Sequence, residues 1–405
     1  MRRLMLGFWI LLLGCGSAAP STASAQRGDA ASAGGEATAR WVGGSPIRTE
    51  IRVGDDGTTW VGVWVDAPVA QAQAVRPAMD VALVVDTSGS MAGDKMRNAR
   101  MAASSLVETL HDGDIVSLYA FSNRVTELAP PTRLTRGNRG AMMQAIGRLV
   151  AGGGTAMYAG VEAGLVRLSQ APASHPVRRV VLISDGQANV GPSDPGSFGQ
   201  LAARYSEFGA QVSAIGVGLD YDESTLGQLA VRSAGRLYHL EQPSQMASIL
   251  QQEIQLLSRT VATNAVIEVV PAPGVVLIEA DTMGARIENG HMIVPLGALY
   301  GGQRREVLFR ARVPTARPGA QPLADVRLRY GARGALPQTA QLRYEVMPQG
   351  RALSRPENPR VAAMVASHDM AQAQLHAAQL LNRGQSAAAA TTLASAADRI
   401  DAAAR

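Results

Sequence analysis

The stretch "VALVVDTSGSM", residues 81–91, ends an apolar run in Asp86, Ser88 and Ser90, three small oxygen-bearing side chains spaced two apart. Two later loops carry the same chemistry: "AGGGTAMY" sets Thr155 behind three glycines, and "LISDGQAN" closes another apolar run with Asp185. Each side chain alone is a favoured helix N-cap, and capping explains any one of them as well as ligation does. Together they supply two carboxylates and three hydroxyls, all hard oxygen donors with little formal charge. Such a set suits Mg²⁺, which takes about six oxygens at roughly 2.0–2.1 Å and keeps some water; Mn²⁺ and Ca²⁺ stay open on the same chemistry.

Enzymatic patterns do not accompany these residues. A strand-end aspartate nucleophile of the DxDxT kind needs a second acid at position 88, which is serine. The histidines at 111, 175, 239, 291, 368 and 376 are isolated, with no HExxH pair, and the glycines before Thr155 lack the lysine of a phosphate-binding loop. No base is identifiable for a serine nucleophile. A binding module, not an enzyme, is the expectation.

The elements that position these loops follow from hydrophobic rhythm. "DVALVVD", "DIVSLYAF", "RRVVLISD", "AQVSAIGVG" and "RLYHL" are near-continuous apolar strands, and they alternate with helical patterns such as "KMRNARMAASSLVETL" and "SQMASILQQEIQLLS". Strands apolar on both faces, alternating with helices, predict an α/β fold with a doubly wound, mainly parallel sheet over residues 78–259. Ligands of such sheets bind at the carboxyl ends of the strands, where the oxygen-bearing residues fall.

Outside that region the pattern has period two. "IRTEIRV", "GDDG" and "TTWVGVWV" read as a hairpin, and similar strands return after residue 260 in "NAVIEVV", "REVLFRARV", "ADVRLRY" and "QLRYEVM". One β-sandwich from residues 41–77 and 260–350, with the α/β domain inserted, is the economical reading; two small β modules are the alternative. Residues 351–405 are alanine-rich and helical, divided at Asn382 and Gly384 into a hairpin that either packs on the sandwich or serves a partner.

In that order and on those strands, "DTSGSM", "GGGT" and "SDG" resemble the metal-ion-dependent adhesion site of a von Willebrand factor A domain, with similarity over about residues 78–245. The resemblance implies that Ser88, Ser90 and Thr155 contact the metal through their hydroxyls, while Asp86 and Asp185 act mostly through water or from behind. It also implies a protein partner that presents an Asp or Glu carboxylate to the ion. An accessory subunit of an envelope or ATP-driven metal-inserting complex, or a scaffold with a structural metal, are the alternatives. In integrin-like relatives ligation moves the last helix of the domain, and here that helix leads straight into the second β segment.

The chain has 405 residues, 46% hydrophobic and 18% charged, enough for several packed cores. Its formal charge of +5 is carried almost wholly by scattered arginines, Lys95 being the sole lysine. Aromatics are 4%, with no basic stripe, so nucleic acid is not an expected partner. At the start, Arg2 and Arg3 precede "LMLGFWILLLG", which reads as a signal-peptide core. "LLGC" resembles a bacterial lipobox, making residues 1–14 the signal and Cys15, the only cysteine, the lipidated residue. Cleavage after Ala25 is the competing site. Residues 15–40, small and polar, read as a flexible tether. The expectation is an exported protein, held at a bacterial membrane by lipid alone or otherwise periplasmic or secreted.

Overall fold

The computed structural model describes residues 41–69, 76–219, 221–280, 284–331 and 337–403; the signal segment, Cys15 and the tether lie outside them. Three strands come first: β1 (Val42–Pro46), β2 (Glu50–Arg52) and β3 (Thr58–Asp66). The α/β region follows with β4 (Met79–Asp86), α1 (Asp94–Thr109), β5 (Ile115–Phe121), β6 (Val125–Arg133), α2 (Arg139–Gly147), α3 (Met157–Ser169), β7 (Val177–Ser184), α4 (Pro195–Ser206), β8 (Ala210–Val217), α5 (Glu223–Arg232), β9 (Arg236–Leu240) and α6 (Met246–Ser258). Its sheet runs β6-β5-β4-β7-β8-β9, parallel except for β6.

All residues of β4, β5, β7 and β8 are buried except Arg178, as expected of strands covered on both faces. Alternation along β4 divides the core: Val81, Leu83 and Val85 meet α1 and α6 through Ala99, Leu106, Leu250 and Ile254. Ala82 and Val84 meet α3, α4 and α5 through Val161, Leu165, Phe198 and Leu229. Winding leaves β4 towards β5 on one side and β7 on the other, so the switch point falls between β4 and β7. Their ends are in register, Val85 opposite Ile183, which brings Asp86 beside Ser184 and Asp185. The edge strand β6 was not legible as a strand because "VTELAPPTR" carries Pro130 and Pro131, which only an edge tolerates.

The remaining strands are β10 (Thr260–Pro271), β11 (Val276–Ala280), β12 (Arg286–Glu288), β13 (His291–Tyr300), β14 (Arg304–Arg312), β15 (Gly319–Arg329) and β16 (Gln338–Met347). They form two sheets, β1-β3-β14-β11 and β12-β13-β10-β15-β16-β2, with Val61, Val63 and Val65 sharing one core with Ile267, Val269, Val326 and Leu328. The hairpin expected of residues 47–65 is not formed. β2 pairs in parallel with β16, while β3 pairs with β1 and β14 in the other sheet. "GDDG" therefore carries the chain between sheets: Gly57 has φ +72°, and a Cβ there would lie 2.1 Å from the Val313 carbonyl oxygen. The strand that does pair with β3, "VGGSP", was obscured by loop-like composition. Its Gly43 leaves room for the Trp64 indole, which a Cβ would meet at 2.5 Å.

Helices α7 (Pro359–Asn382) and α8 (Ser386–Ala403) complete the chain. Asn358 caps α7 by accepting from the backbone N–H groups of Arg360 and Val361, Pro359 takes the first helical position, and Gly384, at φ +76°, ends it. Val361 and Met364 pack with Leu308, Trp60 and Trp64 on the outer face of β3 and β14. Gly62 permits this approach, since a Cβ would sit 2.9 Å from both Val361 Cγ2 and Met364 Sδ. Arg360 adds a two-pronged contact to Asp66 at 2.9 and 3.0 Å. The first turns of the hairpin thus pack on the sandwich.

Candidate metal-ion site at the carboxyl edge of the parallel sheet

None of the three loops uses its oxygen-bearing side chains as caps. Helix α1 begins after Gly93, and the 3₁₀ turn Gly89–Met91 has no side-chain cap from Ser88. Helix α3 begins after Ala156, and α4 is capped by Asp194, not Asp185. The capping explanation, adequate for each residue in isolation, is removed by where the helices start.

The loops are laced together by their backbones. The Gly89 N–H donates to Gly153 O at 3.1 Å, Gly152 N–H to Thr87 O at 2.7 Å, and Thr87 N–H to Phe121 O at 2.8 Å. Asn123 accepts from Gly154 N–H and Asn189 from Thr155 N–H, both at 2.7 Å, which fixes the glycine loop. Asp86, Ser88, Thr155 and Asp185 are buried, while Ser90 opens to solvent. Ser88 Oγ lies 3.0 Å from Ser90 Oγ, and Ser90 donates to Asp185 Oδ1 at 2.8 Å. Thr155 Oγ1 and Ser90 Oγ both flank Gly186, lying 4.0 and 3.7 Å from where its Cβ would stand. The five residues marked in the sequence form one cluster.

Both carboxylates are held from behind. Asp86 accepts the Ser88 N–H at 2.8 Å and the Ser184 hydroxyl at 2.5 Å. Burial pushes its carboxyl above the ordinary carboxylate range, against those hydrogen bonds, and the nearby Asp185 charge pushes the same way. Asp185 accepts Ser90 on one oxygen and the Lys95 ammonium on the other, at 2.5 Å. Among the described residues no three His, Cys, Asp or Glu side chains gather to hold a metal, so this donor set depends on its hydroxyls. All-oxygen donors with buried carboxylates among them fit a hard divalent cation. Ser184, Lys95, Asn123 and Asn189 were not marked from the sequence; they act across the fold, and only the isolation of Lys95 as the single lysine was a signal.

Residues 80–252 match the family model for the von Willebrand factor type A domain. This region is a von Willebrand factor A domain. A solved protein of that type from Catenulispora acidiphila superposes with TM-score 0.75 over 90% of this chain and 88% of its own, at 19% identity. The ArnB paralog VWA2 of Sulfolobus acidocaldarius superposes with TM-score 0.60 over 88% of this chain and 89% of its own, at 18% identity. By sequence, an uncharacterised Synechocystis protein is 28% identical over 63% of this chain and 62% of its own length. The human inter-alpha-trypsin inhibitor heavy chain H4 is 28% identical over 47% of this chain and 21% of its own. The chain thus spans less than two thirds of these curated relatives. The A domain supplies the α/β sheet, and its loops after β4, β7 and α2 supply every residue of the candidate site.

Proposed function

We propose that the chain binds another protein through a divalent cation held by Asp86, Ser88, Ser90, Thr155 and Asp185, the partner contributing an Asp or Glu carboxylate. The observation that carries this reading is the convergence of three hydroxyls and two carboxylates on one loop cluster at the switch point, where none of them caps a helix. The ion, Mg²⁺ first and Mn²⁺ or Ca²⁺ on the same donors, supplies a Lewis-acidic centre for an incoming carboxylate oxygen. Ser88, Ser90 and Thr155 offer their hydroxyls to it. Asp185 orients the Ser90 hydroxyl, Asp86 fixes the backbone of Ser88, and both carboxylates provide negative charge behind the donors. Exposed Val150, on the loop that leads to Thr155, and Leu219, on the loop after β8, are apolar residues open to a partner.

The family membership supports protein–protein interaction as the general role. The signal-like segment and the "LLGC" run support export and a lipid anchor at Cys15, with residues 15–40 as tether. The test is capture from envelope extracts with immobilised chain in Mg²⁺, followed by EDTA. A partner released by EDTA and not retained by Asp86→Ala supports the reading; a partner retained equally under chelation and by the variant overturns it.

A further inference from the structure

Lys95 sits where local energetics disfavour it. It is the second residue of α1, whose amino end carries the positive pole of the helix, so an ammonium there is repelled. It is also the single lysine of a chain whose other permanently charged basic side chains are all arginine. What holds it is Asp185: the ammonium lies 2.5 Å from Oδ2 of a carboxylate with no exposed side-chain surface, while the lysine side chain keeps 33% of its own. Gly218, after β8, lies beside the ammonium: the position of a Cβ there is 3.9 Å from Nζ, an ordinary contact distance.

Resting on the metal-site reading above, we propose that Lys95 is a built-in counter-ion that sets the charge of the site and so its demand for a partner carboxylate. The donor set contains two carboxylates, and the ammonium cancels one of them. A divalent cation bound to what remains leaves the centre with one net positive charge, which a single carboxylate from a partner neutralises. Without Lys95 the two aspartates satisfy the cation fully, and the attraction for an outside carboxylate disappears. The lysine thus trades metal affinity for ligand affinity.

The experiment uses Mn²⁺ as the metal and acetate as the carboxylate probe, on the full chain at constant pH. Free Mn²⁺ is read by electron paramagnetic resonance, and acetate binding by the fall in water-proton relaxation as it displaces metal-bound water. Lys95→Met binds Mn²⁺ about tenfold tighter than the parent chain and acetate about tenfold more weakly, as expected for removal of one charge a few ångströms away in a partly buried site. Because Lys95 is the only lysine, the unmutated chain gives a matched pair: acetylation removes the charge and copies Lys95→Met, whereas reductive methylation retains it and copies the parent. Unchanged or weaker Mn²⁺ affinity in Lys95→Met, or equal effects of acetylation and methylation, overturns the role of Lys95 while leaving the metal site standing. A parent chain that binds no Mn²⁺ saturably overturns the metal-site reading, and this inference with it.

Discussion

Asp86 shows how far a single residue can be read. Its type and its place at the end of an apolar strand made it a candidate, but two oxygens already engaged by Ser88 and Ser184 define what it does. Because burial disfavours its charge, Asp86→Asn relieves a cost in the metal-free chain. In EDTA the variant melts at or above the parent temperature, and the upward shift that Mg²⁺ gives the parent is absent. A variant that is destabilised in EDTA yet still shifted by Mg²⁺ contradicts this assignment. Gly186→Ala tests the same cluster sterically: its methyl would meet Ser90 Oγ and Thr155 Oγ1 at ordinary contact distance, so the fold survives. The expected result is a melting temperature in EDTA and a Mg²⁺ affinity both close to the parent, because a methyl at 3.7 and 4.0 Å leaves the hydroxyls in place. The five marked residues were legible because strand ends and glycine loops are local features. Ser184, Asn123, Asn189 and the Lys95–Asp185 pair were not, since each depends on which strand lies next to which.

Elements were legible in proportion to how much of their burial is encoded in their own sequence. The doubly buried strands β4, β5, β7 and β8 announce themselves by continuous apolar runs. β1 and β6 do not, because glycine in one and proline in the other serve neighbours and edges instead of strand propensity. The false hairpin at 47–65 arose because alternation specifies a strand without specifying its partner. Helix α7 depends on such a partner: the Arg360 fork holds the Asp66 carboxyl below the usual carboxylate range. A depressed pKa contributes stability that is present above the unfolded value and lost as pH falls through the folded one. Urea titrations of the parent and Arg360→Met should therefore differ at neutral pH, the difference shrinking as pH falls below the ordinary Asp value of 3.8 while the contact of Arg360 with the Trp64 ring persists, and it stays under about 1 kcal/mol because both charged groups are partly exposed. A difference that persists undiminished at low pH contradicts the ion pair. Gly62→Val tests the apolar half of the contact: α7 and α8 become more accessible to limited proteolysis, while the sandwich core resists as before.

The two cores meet at a buried polar cluster. Arg179 of β7, fully buried, donates to the Tyr300 hydroxyl of β13 at 2.7 Å and lies 3.5 Å from Glu253 of α6. Glu253 also accepts from Tyr238 at 2.5 Å and from Ser213. These groups tie the last helix of the A domain to its own sheet and to the sandwich. Glu253→Gln leaves the arginine charge without its partner and should cost about 3–5 kcal/mol in urea unfolding, whereas Arg179→Met with Glu253→Gln recovers part of that loss. Additive costs in the double variant would contradict the pairing. How the A domain interlocks with the β region, in contrast to the existence of both, was not legible, because Arg179 and Tyr300 are 121 residues apart and neither has a local pattern.

What these contacts position is the edge proposed above to hold a cation, and calorimetric titration of the full chain with Mg²⁺ asks directly whether it does. Saturable binding at one site per chain, abolished by Asp86→Ala and preserved in Glu253→Gln wherever that variant stays folded, is the predicted result. The absence of saturable heat in the folded parent chain, or equal binding by Asp86→Ala, would contradict the account.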